Sequence, residues 1–497
     1  MGSEKKYIPE IAEHYGRLKN YVDGDFVEAE TGEVLDVMDP AKDRAIAQVP
    51  LSSKADVDAA VEAAQNAFLE WRATPPLSRA RYMYRVKDLL EKNYDDLARV
   101  LTQEHGKVID EARASVRRAI DNVEVAAGIT SLQMGYNLED GAAEGIDEEV
   151  LRQPLGVFAC IAPYNFPALV PFWFWPYAVA CGNTYIVKPS EQVPVTQTRI
   201  FELLEDAGFP PGVLNMVHGG RDTVKTILEH PDIKGVSFVG STPVARIIYE
   251  TAAKNGKRAQ CQGGAKNCLV VMPDANMKLT LPNILGSVFG CTGQRCLAGS
   301  IIVAVGDIYE TLRDQLVSIA GKIKVGYGLD ETAQMGPLGS KAMAAKVVGY
   351  IDKGVAEGGK LLLDGRGVKV EGFPRGAFVG PTIFDDVTPE MTIMREEIFG
   401  PVCCIYRVGS IEEAIAYANT SPYGNASSLF TNSGPAARKF RYEVQAGNIG
   451  VNVGIAAAMA YFPFGGYKAS FFGDLHGQGL DAINFFTERK VVITRWY

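Results

Sequence analysis

The chain has 497 residues, of which 47% are hydrophobic and 22% are charged. This composition excludes an intrinsically disordered protein, and the length predicts two or three domains in place of one core. The net charge of -9 argues against a basic surface for nucleic acid, so we expect no nucleic-acid partner.

Eight cysteines are scattered through the chain without any C-x-x-C pair, at Cys160, Cys181, Cys261, Cys268, Cys291, Cys296, Cys403 and Cys404. This spacing suits neither a disulfide scaffold nor a zinc site, so we expect no metal and a reducing compartment. The first ten residues lack the apolar core of a signal peptide. Together these features predict a cytoplasmic protein.

The first third of the chain has helical patterns that follow a hairpin. Residues 21–27 carry Asp-Gly at the centre, which predicts a two-residue β-turn. An apolar stripe predicts a helix over residues 54–71. Further helical patterns cover about 79–102 and 108–134.

Residues 153–187 contain no charged side chain and are long enough to cross a bilayer. The stretch is broken by five prolines, Pro154, Pro163, Pro167, Pro171 and Pro176. In lipid these breaks would leave backbone groups unpaired. We therefore predict a buried strand, loop, helix and strand, and no membrane association.

From residue 153 onward, short β-rich segments alternate with helical ones. Strands are predicted at 156–162, 184–188, 213–217 and 236–239, with helices at about 166–181, 194–207 and 221–230. This alternation is typical of βαβ units in a parallel sheet. A second α/β series covers about 267–460. The tail, 484–494, reads as a strand with nothing nearby in sequence to pair with, which favours docking on another subunit in a homo-oligomer.

Two segments predict a nucleotide site. Residues 235–243 read as a strand, a tight turn at Gly240 and a helix opened by Ser241, Thr242 and Pro243, whose free N–H groups suit a pyrophosphate. An ordinary capped helix is the alternative. Residues 188–191, Lys-Pro-Ser-Glu, follow another strand, where open α/β sheets bind ligands. The carboxylate of Glu191 suits ribose hydroxyls and would repel a 2′-phosphate, which favours NAD over NADP.

Six motifs resemble those of the aldehyde dehydrogenase superfamily, in its order and spacing. They are Ala-Pro-Tyr-Asn-Phe-Pro at 162–167, Lys-Pro-Ser-Glu at 188–191, Phe-Val-Gly-Ser at 238–241, Gly-Gln-Arg-Cys at 293–296, Arg-Glu-Glu-Ile-Phe-Gly-Pro at 395–401 and Phe-Pro-Phe-Gly-Gly-Tyr-Lys at 462–468. Within the superfamily the chain looks most like the CoA-acylating methylmalonate-semialdehyde (malonate-semialdehyde) dehydrogenases. Residues 120–124, 264–267, 272–276, 461–464 and 470–476 support that closer likeness.

The resemblance implies an α/β fold with a Rossmann-like cofactor domain, an α/β catalytic domain and a small β oligomerisation element. We expect the NAD-binding domain at 1–134 and 154–265 and the catalytic domain at 266–465. Residues 135–153 and 475–497 would form the oligomerisation or bridging element of a dimer or tetramer.

The resemblance also assigns roles to individual residues. Cys296 would be the nucleophile, and the Asn165 amide with the Cys296 backbone N–H would stabilise the oxyanion. Taken alone, Cys296 could be an inert buried thiol, and Asn165 could cap a helix. Cys291 reads as a packing residue, with a redox partner as the alternative. The residues expected to bind NAD are Ala162, Pro163, Phe166, Lys188, Ser190, Glu191, Gly240, Ser241, Glu397 and Phe399.

Gln262 stands where many related enzymes have a water-activating glutamate. Gln cannot act as a base, and water, with a pKa of about 15.7, needs strong activation. A thiol has a pKa of only about 8.5 and is the more reactive nucleophile. We therefore expect CoA as co-substrate and an acyl-CoA product. A hydrolytic enzyme that uses another base is the closest alternative, and an inactive structural homologue is a second one.

Substrate choice is expected to depend on Arg295 and Arg118, which in the resembled group hold the carboxylate of a semialdehyde. A planar, always charged guanidinium suits that role. Helical geometry leaves open whether Arg118 faces a cavity or solvent, and Arg117 is the competing candidate. Decarboxylation would give acetyl-CoA from malonate semialdehyde or propionyl-CoA from its methyl homologue. The sequence does not decide between these substrates.

Overall fold

The computed structural model describes residues 7–497 and has an α/β fold, as expected. Its strands are β1 Asn20–Val22, β2 Asp25–Val27, β3 Val34–Asp39, β4 Arg44–Pro50, β5 Tyr136–Leu138, β6 Ile146–Pro154, β7 Val157–Ile161, β8 Thr184–Lys188, β9 Leu214–Met216, β10 Ile233–Val239, β11 Arg258–Gln262, β12 Asn267–Val271, β13 Gly299–Val305, β14 Lys360–Leu363, β15 Thr382–Asp385, β16 Val402–Val408, β17 Tyr423–Gly424, β18 Ala426–Phe430, β19 Asn448–Val451, β20 Tyr467–Lys468, β21 Phe471–Phe472 and β22 Thr487–Arg495.

The helices connect these strands and cover the sheets. They are α1 Lys54–Ala73, α2 Pro76–Lys92, α3 Tyr94–His105, α4 Ile109–Ala127, α5 Ile129–Leu132, α6 Leu169–Phe172, α7 Trp175–Ala180, α8 Val195–Ala207, α9 Arg221–Glu229, α10 Thr242–Lys254, α11 Met277–Phe289, α12 Ile308–Ala320, α13 Lys341–Ala356, α14 Thr392–Arg395, α15 Ile411–Thr420, α16 Gly434–Glu443 and α17 Gly479–Phe486. A 3-10 turn, Gly290–Gly293, follows α11.

Two large sheets organise the fold. The first has the order β2-β1-β9-β8-β7-β10-β11-β21, and its centre from β9 to β11 is parallel. The second has the order β14-β15-β16-β13-β12-β18-β19 and is parallel except at β14. The central strands β7, β8 and β12 are buried along their whole length, as expected for parallel strands covered on both faces.

The predicted βαβ pattern between residues 153 and 239 is confirmed, with β8 at the predicted bounds. The predicted hairpin is also confirmed, with Asp23 and Gly24 both at positive φ in the turn. The single helix predicted at 166–181 was wrong, because Phe174 departs from helical φ/ψ and separates α6 from α7. No helix within residues 7–497 is long and apolar enough to cross a membrane.

The helical pattern at 79–102 is two helices, α2 and α3, because the chain turns at Asn93. The Asn93 side chain donates to the Leu89 carbonyl at 2.9 Å and so competes with helix continuation. The pattern at 108–134 is likewise interrupted, at Gly128, between α4 and α5.

The predicted C-terminal strand exists, but it begins at Thr487, because residues 479–486 form α17. Contrary to expectation, the strand has a partner in its own chain. It pairs along its whole length with β6, in a three-stranded sheet of order β22-β6-β5. The pairing joins segments more than 330 residues apart, which sequence proximity could not show. Docking on a second subunit and the proposed domain boundaries stay predictions.

Asn183 connects the C-terminal region to the first sheet. Its fully buried side chain accepts from the Leu155 and Gly156 N–H groups at 2.8 and 3.1 Å. Its amide nitrogen donates to the carbonyl oxygens of Ala178 at 3.1 Å and of Phe486 at 2.8 Å. One side chain thus satisfies four backbone groups at the junction of β7, α7 and α17.

Replacement of Asn183 by Ala should destabilise the protein strongly, since the Leu155 and Gly156 N–H groups and the Phe486 carbonyl lose this partner, while the Ala178 carbonyl keeps the Asn183 backbone N–H at 3.0 Å. We expect a loss of about 2–5 kcal/mol in the free energy of unfolding, measured by urea denaturation. Asn255→Ala is the matched control, because the exposed Asn255 amide only donates to Thr251 within its own helix end. Equal losses for the two variants would contradict the connecting role.

Candidate active site

A cavity of about 300 Å³ lies between α4, α6 and the loop that carries Cys296. Five of the predicted site residues reach it: Cys296, Asn165, Arg118, Arg295 and Phe166. The remainder of its wall is largely apolar, lined by Ala114, Leu169, Val170, Trp173, Val239, Leu297, Ile455, Ala457 and Phe464. A few polar groups converging in an apolar cavity is the arrangement typical of a small-molecule site.

The chain reaches Cys296 through an unusual turn. Cys291, Thr292 and Gly293 all have positive φ, at 49°, 54° and 70°. A side chain at Gly293 would also collide with the Gly400 carbonyl, since a Cβ there would lie 2.1 Å from that oxygen. The hydroxyl of Thr292 donates to the Gly336 carbonyl at 3.0 Å. The turn is therefore held by backbone packing on one side and by hydrogen bonding on the other.

Two asparagines hold the Cys296 peptide. The Asn267 and Asn425 side chains each donate to the Cys296 carbonyl at 2.8 Å, and Asn267 also donates to Ala298 at 2.9 Å. Of the eight cysteines, all of which lie in the described residues, only Cys296 is partly exposed. Position and exposure together separate Cys296 from the seven buried thiols.

The surroundings of Cys296 disfavour the thiolate. Burial raises the pKa of the thiol to about 12, and the negative charge of Glu397 adds to the rise. A hydrogen bond from the Asn425 side chain and the positive charge of Arg295 act in the opposite direction. Because the thiolate is the nucleophilic form, a raised pKa lowers the reactivity of the unliganded site.

Asn165 lies beside the nucleophile loop. Its side chain is 5% exposed, and Nδ2 donates to the Gln294 carbonyl at 3.0 Å. The second N–H of the amide is available to a ligand. The amide thus sits within the cavity wall, where an oxyanion donor would be needed.

The two predicted arginines meet in the cavity from different elements. Arg118 comes from α4 and donates to the Ala458 carbonyl. Arg295 donates to the Gly286 and Ser287 carbonyls near the end of α11, but its buried Nε has no partner among the described residues. Arg117 forms a two-pronged ion pair with Glu91 outside the cavity. Of the two neighbours on α4, only Arg118 faces the cavity.

Gln262 lies at the end of β11, and its amide donates to the Phe464 carbonyl at 2.9 Å. Two acidic side chains, Glu111 and Glu397, lie near Cys296. The Glu111 carboxylate forms part of the cavity wall and accepts from the Cys291 N–H at 2.6 Å, with its second oxygen unpartnered. Burial raises the pKa of Glu397 to about 7, while the Ala265 N–H, bound at 2.9 Å, lowers it.

The predicted cofactor residues lie along the carboxyl ends of adjacent strands. The Ala162 N–H donates to the Lys188 carbonyl at 3.0 Å, which joins the ends of β7 and β8. Gly240, at the end of β10, donates to the Gln262 carbonyl at 3.0 Å. Pro163 and Ser190 follow β7 and β8, and Ser241 precedes α10 without a side-chain cap. The N–H groups that open α10 are therefore left for a ligand.

Lys188 and Glu191 form an ion pair at 2.9 Å beyond β8. Burial opposes ionisation of Glu191, but the positive charge of Lys188, a backbone hydrogen bond and the hydrogen bond from Lys188 together outweigh it and hold the pKa of Glu191 below its usual range. A carboxylate at this edge can accept hydrogen bonds from hydroxyl groups.

The remaining predicted cofactor residues fall into two places. Glu397 and Phe399 lie next to the linker between the two sheets, where Phe399 packs edge-on against Tyr164 at 6.0 Å between ring centroids. Phe166 instead lines the cavity that contains Cys296. Its assignment to the cofactor stays a prediction, because the ring lies in the wall of the Cys296 cavity and not at the carboxyl ends of the strands.

Sequence reasoning missed Lys107, Glu111 and Asn425. The fully buried Lys107 donates to the Asn165 carbonyl at 2.8 Å. Lys107 and Glu111 are charged residues within a run of buried ones around the start of α4, and this pattern was the available signal. No local pattern marks Asn425, which reaches Cys296 only through the pairing of β18 with β12.

Known proteins similar to this chain include malonate-semialdehyde dehydrogenases. Malonate-semialdehyde dehydrogenase 1 of Geobacillus thermodenitrificans is 47% identical over 480 residues, covering 96% of this chain and 99% of that protein. Malonate-semialdehyde dehydrogenase of Halalkalibacterium halodurans is 45% identical over 480 residues, covering 97% and 98%.

The fold is also similar to that of solved structures. The methylmalonate-semialdehyde dehydrogenase of Oceanimonas doudoroffii has a TM-score of 0.95 and 43% identity, covering 97% of this chain and 99% of that one. A Sinorhizobium meliloti protein assigned as a methylmalonate-semialdehyde dehydrogenase and complexed with NAD has a TM-score of 0.96 and 43% identity, covering 97% and 98%. Residues 26–492 match the profile of the aldehyde dehydrogenase family, and the chain belongs to that family.

Proposed function

We propose that the protein oxidises a short carboxylated aldehyde, malonate or methylmalonate semialdehyde, with NAD and transfers the decarboxylated acyl group to CoA. The observation that carries this proposal is the meeting of a thiol, an amide and two guanidinium groups in one apolar cavity. The relatives named malonate-semialdehyde dehydrogenase support the choice of substrate.

The first step is attack of the Cys296 sulfur on the aldehyde carbon, which gives a thiohemiacetal. The Asn165 amide and the Cys296 backbone N–H face the oxygen on which negative charge develops. Each such donor contributes a few kcal/mol of transition-state stabilisation in a dry site. Bound NAD would supply the hydride acceptor for this oxidation, and Cys296 would then carry the acyl group as a thioester.

The residues at the carboxyl edge of the first sheet fit NAD by their chemistry. The carboxylate of Glu191 suits the ribose hydroxyls, and the uncapped start of α10 suits a pyrophosphate. Glu397 would hold the second ribose.

The fate of the thioester follows from Gln262. An amide cannot remove a proton from water, so hydrolysis lacks its usual base. The thiol of CoA ionises about seven pKa units more easily than water and needs no such base. The acyl group therefore waits on Cys296 for CoA, whose thiolate displaces the Cys296 thiolate.

Decarboxylation follows from the position of the carboxylate. In the thioester it lies β to the carbonyl, so loss of carbon dioxide leaves an enolate that the thioester stabilises. Protonation of that enolate gives an acetyl group on Cys296 from malonate semialdehyde, or a propionyl group from the methyl homologue. Transfer of this group to CoA then gives acetyl-CoA or propionyl-CoA.

The unpartnered oxygen of Glu111 favours one rival, a hydrolytic dehydrogenase in which this acid activates water. In that case CoA would be unnecessary, and Glu111→Gln would abolish release of free acid. Release of product with and without CoA separates the two functions.

Without CoA, the purified enzyme should form about one NADH per active site from malonate semialdehyde and then nearly stop. Addition of CoA should restore turnover at least 10-fold, because the thioester then has a nucleophile that needs no base. Stopped-flow absorbance and analysis of the acyl product provide the measurement. Steady formation of free acid at the same rate without CoA would contradict the proposal.

Cys296 of the unliganded enzyme should be alkylated slowly by iodoacetamide at neutral pH. Because its pKa is about 12, the rate should rise about 10-fold per pH unit from pH 7 to 9 without levelling. Labelling measured by mass spectrometry should parallel the loss of NADH formation, with Cys296→Ser as control. A plateau near pH 8, or activity that survives full labelling, would contradict this role for the thiol.

Arg118→Leu and Arg295→Leu should each lower kcat/KM for malonate semialdehyde about 10- to 100-fold, the worth of a charged hydrogen bond. Activity toward propanal should fall much less, since propanal has no carboxylate. Arg117→Leu is the matched control on the same helix, because Arg117 pairs with Glu91. Equal losses for the charged and uncharged aldehydes would contradict the carboxylate site.

A further inference from the structure

Lys107 is a buried cation that no step above uses. Its side chain is fully buried between α3 and α4, and its ammonium donates to the Asn165 carbonyl at 2.8 Å. The same nitrogen lies 4.0 Å from the centroid of the Phe166 ring. A buried ammonium is costly unless it is paired, so these two contacts with the segment 165–166 set its place.

We propose that Lys107 is a positioning residue, which fixes the peptide between Asn165 and Phe166 and so holds the Asn165 amide against the nucleophile loop. The inference rests on the oxyanion role proposed for Asn165 above. Lys107 itself contacts neither the substrate nor the cofactor in this role.

Lys107 acts on Asn165 through the peptide plane. The Asn165 carbonyl oxygen shares a rigid plane with the Phe166 N–H, so holding that oxygen restrains the ψ angle of Asn165. The Asn165 side chain leaves the same restrained backbone, and its Nδ2 donates to the Gln294 carbonyl at 3.0 Å. A donor shifted by an ångström loses much of its effect on a developing charge.

The backbone that carries the Lys107 side chain is closely packed. A Cβ added at Gly328 would lie 2.4 Å from the Lys107 carbonyl, and one at Gly336 would lie 1.9 Å from the Gly106 carbonyl. Two glycine segments thus pack directly on the Gly106–Lys107 backbone. The ammonium therefore projects from a fixed point.

A second contact aligns the same two segments. The rings of His105 and Tyr164 are stacked, with centroids 6.0 Å apart and planes within 15°. The Tyr164 hydroxyl donates to the Gln294 side chain at 3.3 Å. His105 and Lys107 thus support consecutive residues of the segment that carries Asn165.

A double-mutant cycle between Lys107 and Asn165 tests the inference. Asn165→Ala should lower the rate of NADH formation in a single turnover about 100-fold or more. Lys107→Met should lower it about 10-fold when Asn165 is present but less than about 2-fold in the Asn165→Ala background. The KM for NAD should stay unchanged, and Lys107→Gln, which keeps a donor, should recover part of the rate.

Lys257→Met is the matched control, because Lys257 is also buried and donates to the carbonyl oxygens of His230 and Ile233 in the first sheet. It should lower the melting temperature without changing the rate. Either Lys107 variant alone completes the cycle if the other fails to fold. Additive losses would overturn the role of Lys107 and leave the proposed function intact. An Asn165→Ala variant without loss of rate would contradict the oxyanion role itself.

Discussion

The Cys296 carbonyl accepts hydrogen bonds from the Asn267 and Asn425 amides, and these bonds attach the nucleophile to two neighbouring strands of the second sheet. Asn267 begins β12, and Asn425 immediately precedes β18, its parallel neighbour. Because both amides belong to paired strands, the peptide of Cys296 has the rigidity of the sheet. The fixed peptide adds to the packing at Gly293 and the hydrogen bond of Thr292 in holding the left-handed turn before it.

The chemistry depends on how the cavity treats charge. Burial raises the pKa of the thiol to about 12 and that of the Glu397 carboxyl to about 7, because it disfavours the charged form of each group. The guanidinium groups of Arg118 and Arg295 keep their charge. Two guanidinium groups in the cavity wall suit an aldehyde that carries a carboxylate. The Glu111 carboxyl, on α4, also lines the cavity.

Much of the fold could be predicted from sequence, since hydrophobic runs and turn residues act locally. The strand at 184–188 shows this well, because five buried residues leave little choice of bounds. The break at Asn93 was not visible, because a single side-chain hydrogen bond decides it. The partner of β22 was equally hidden, since strand pairing over hundreds of residues leaves no local trace. Within the site, motif resemblance located Cys296 and Asn165, whereas the residues supporting them come from distant elements.

The segments β21 and β22 pair with strands that lie far earlier in the chain. β21 forms the edge of the first sheet, beside β11, and β22 completes the sheet of β5 and β6. Asn183 and Arg258 bind the end of α17 and so fix the start of β22 against the first sheet. During synthesis neither sheet can be completed before β21 and β22 have emerged from the ribosome. The edges of β11 and β6 stay unpaired until then, and an unpaired strand edge is a site at which other chains can add.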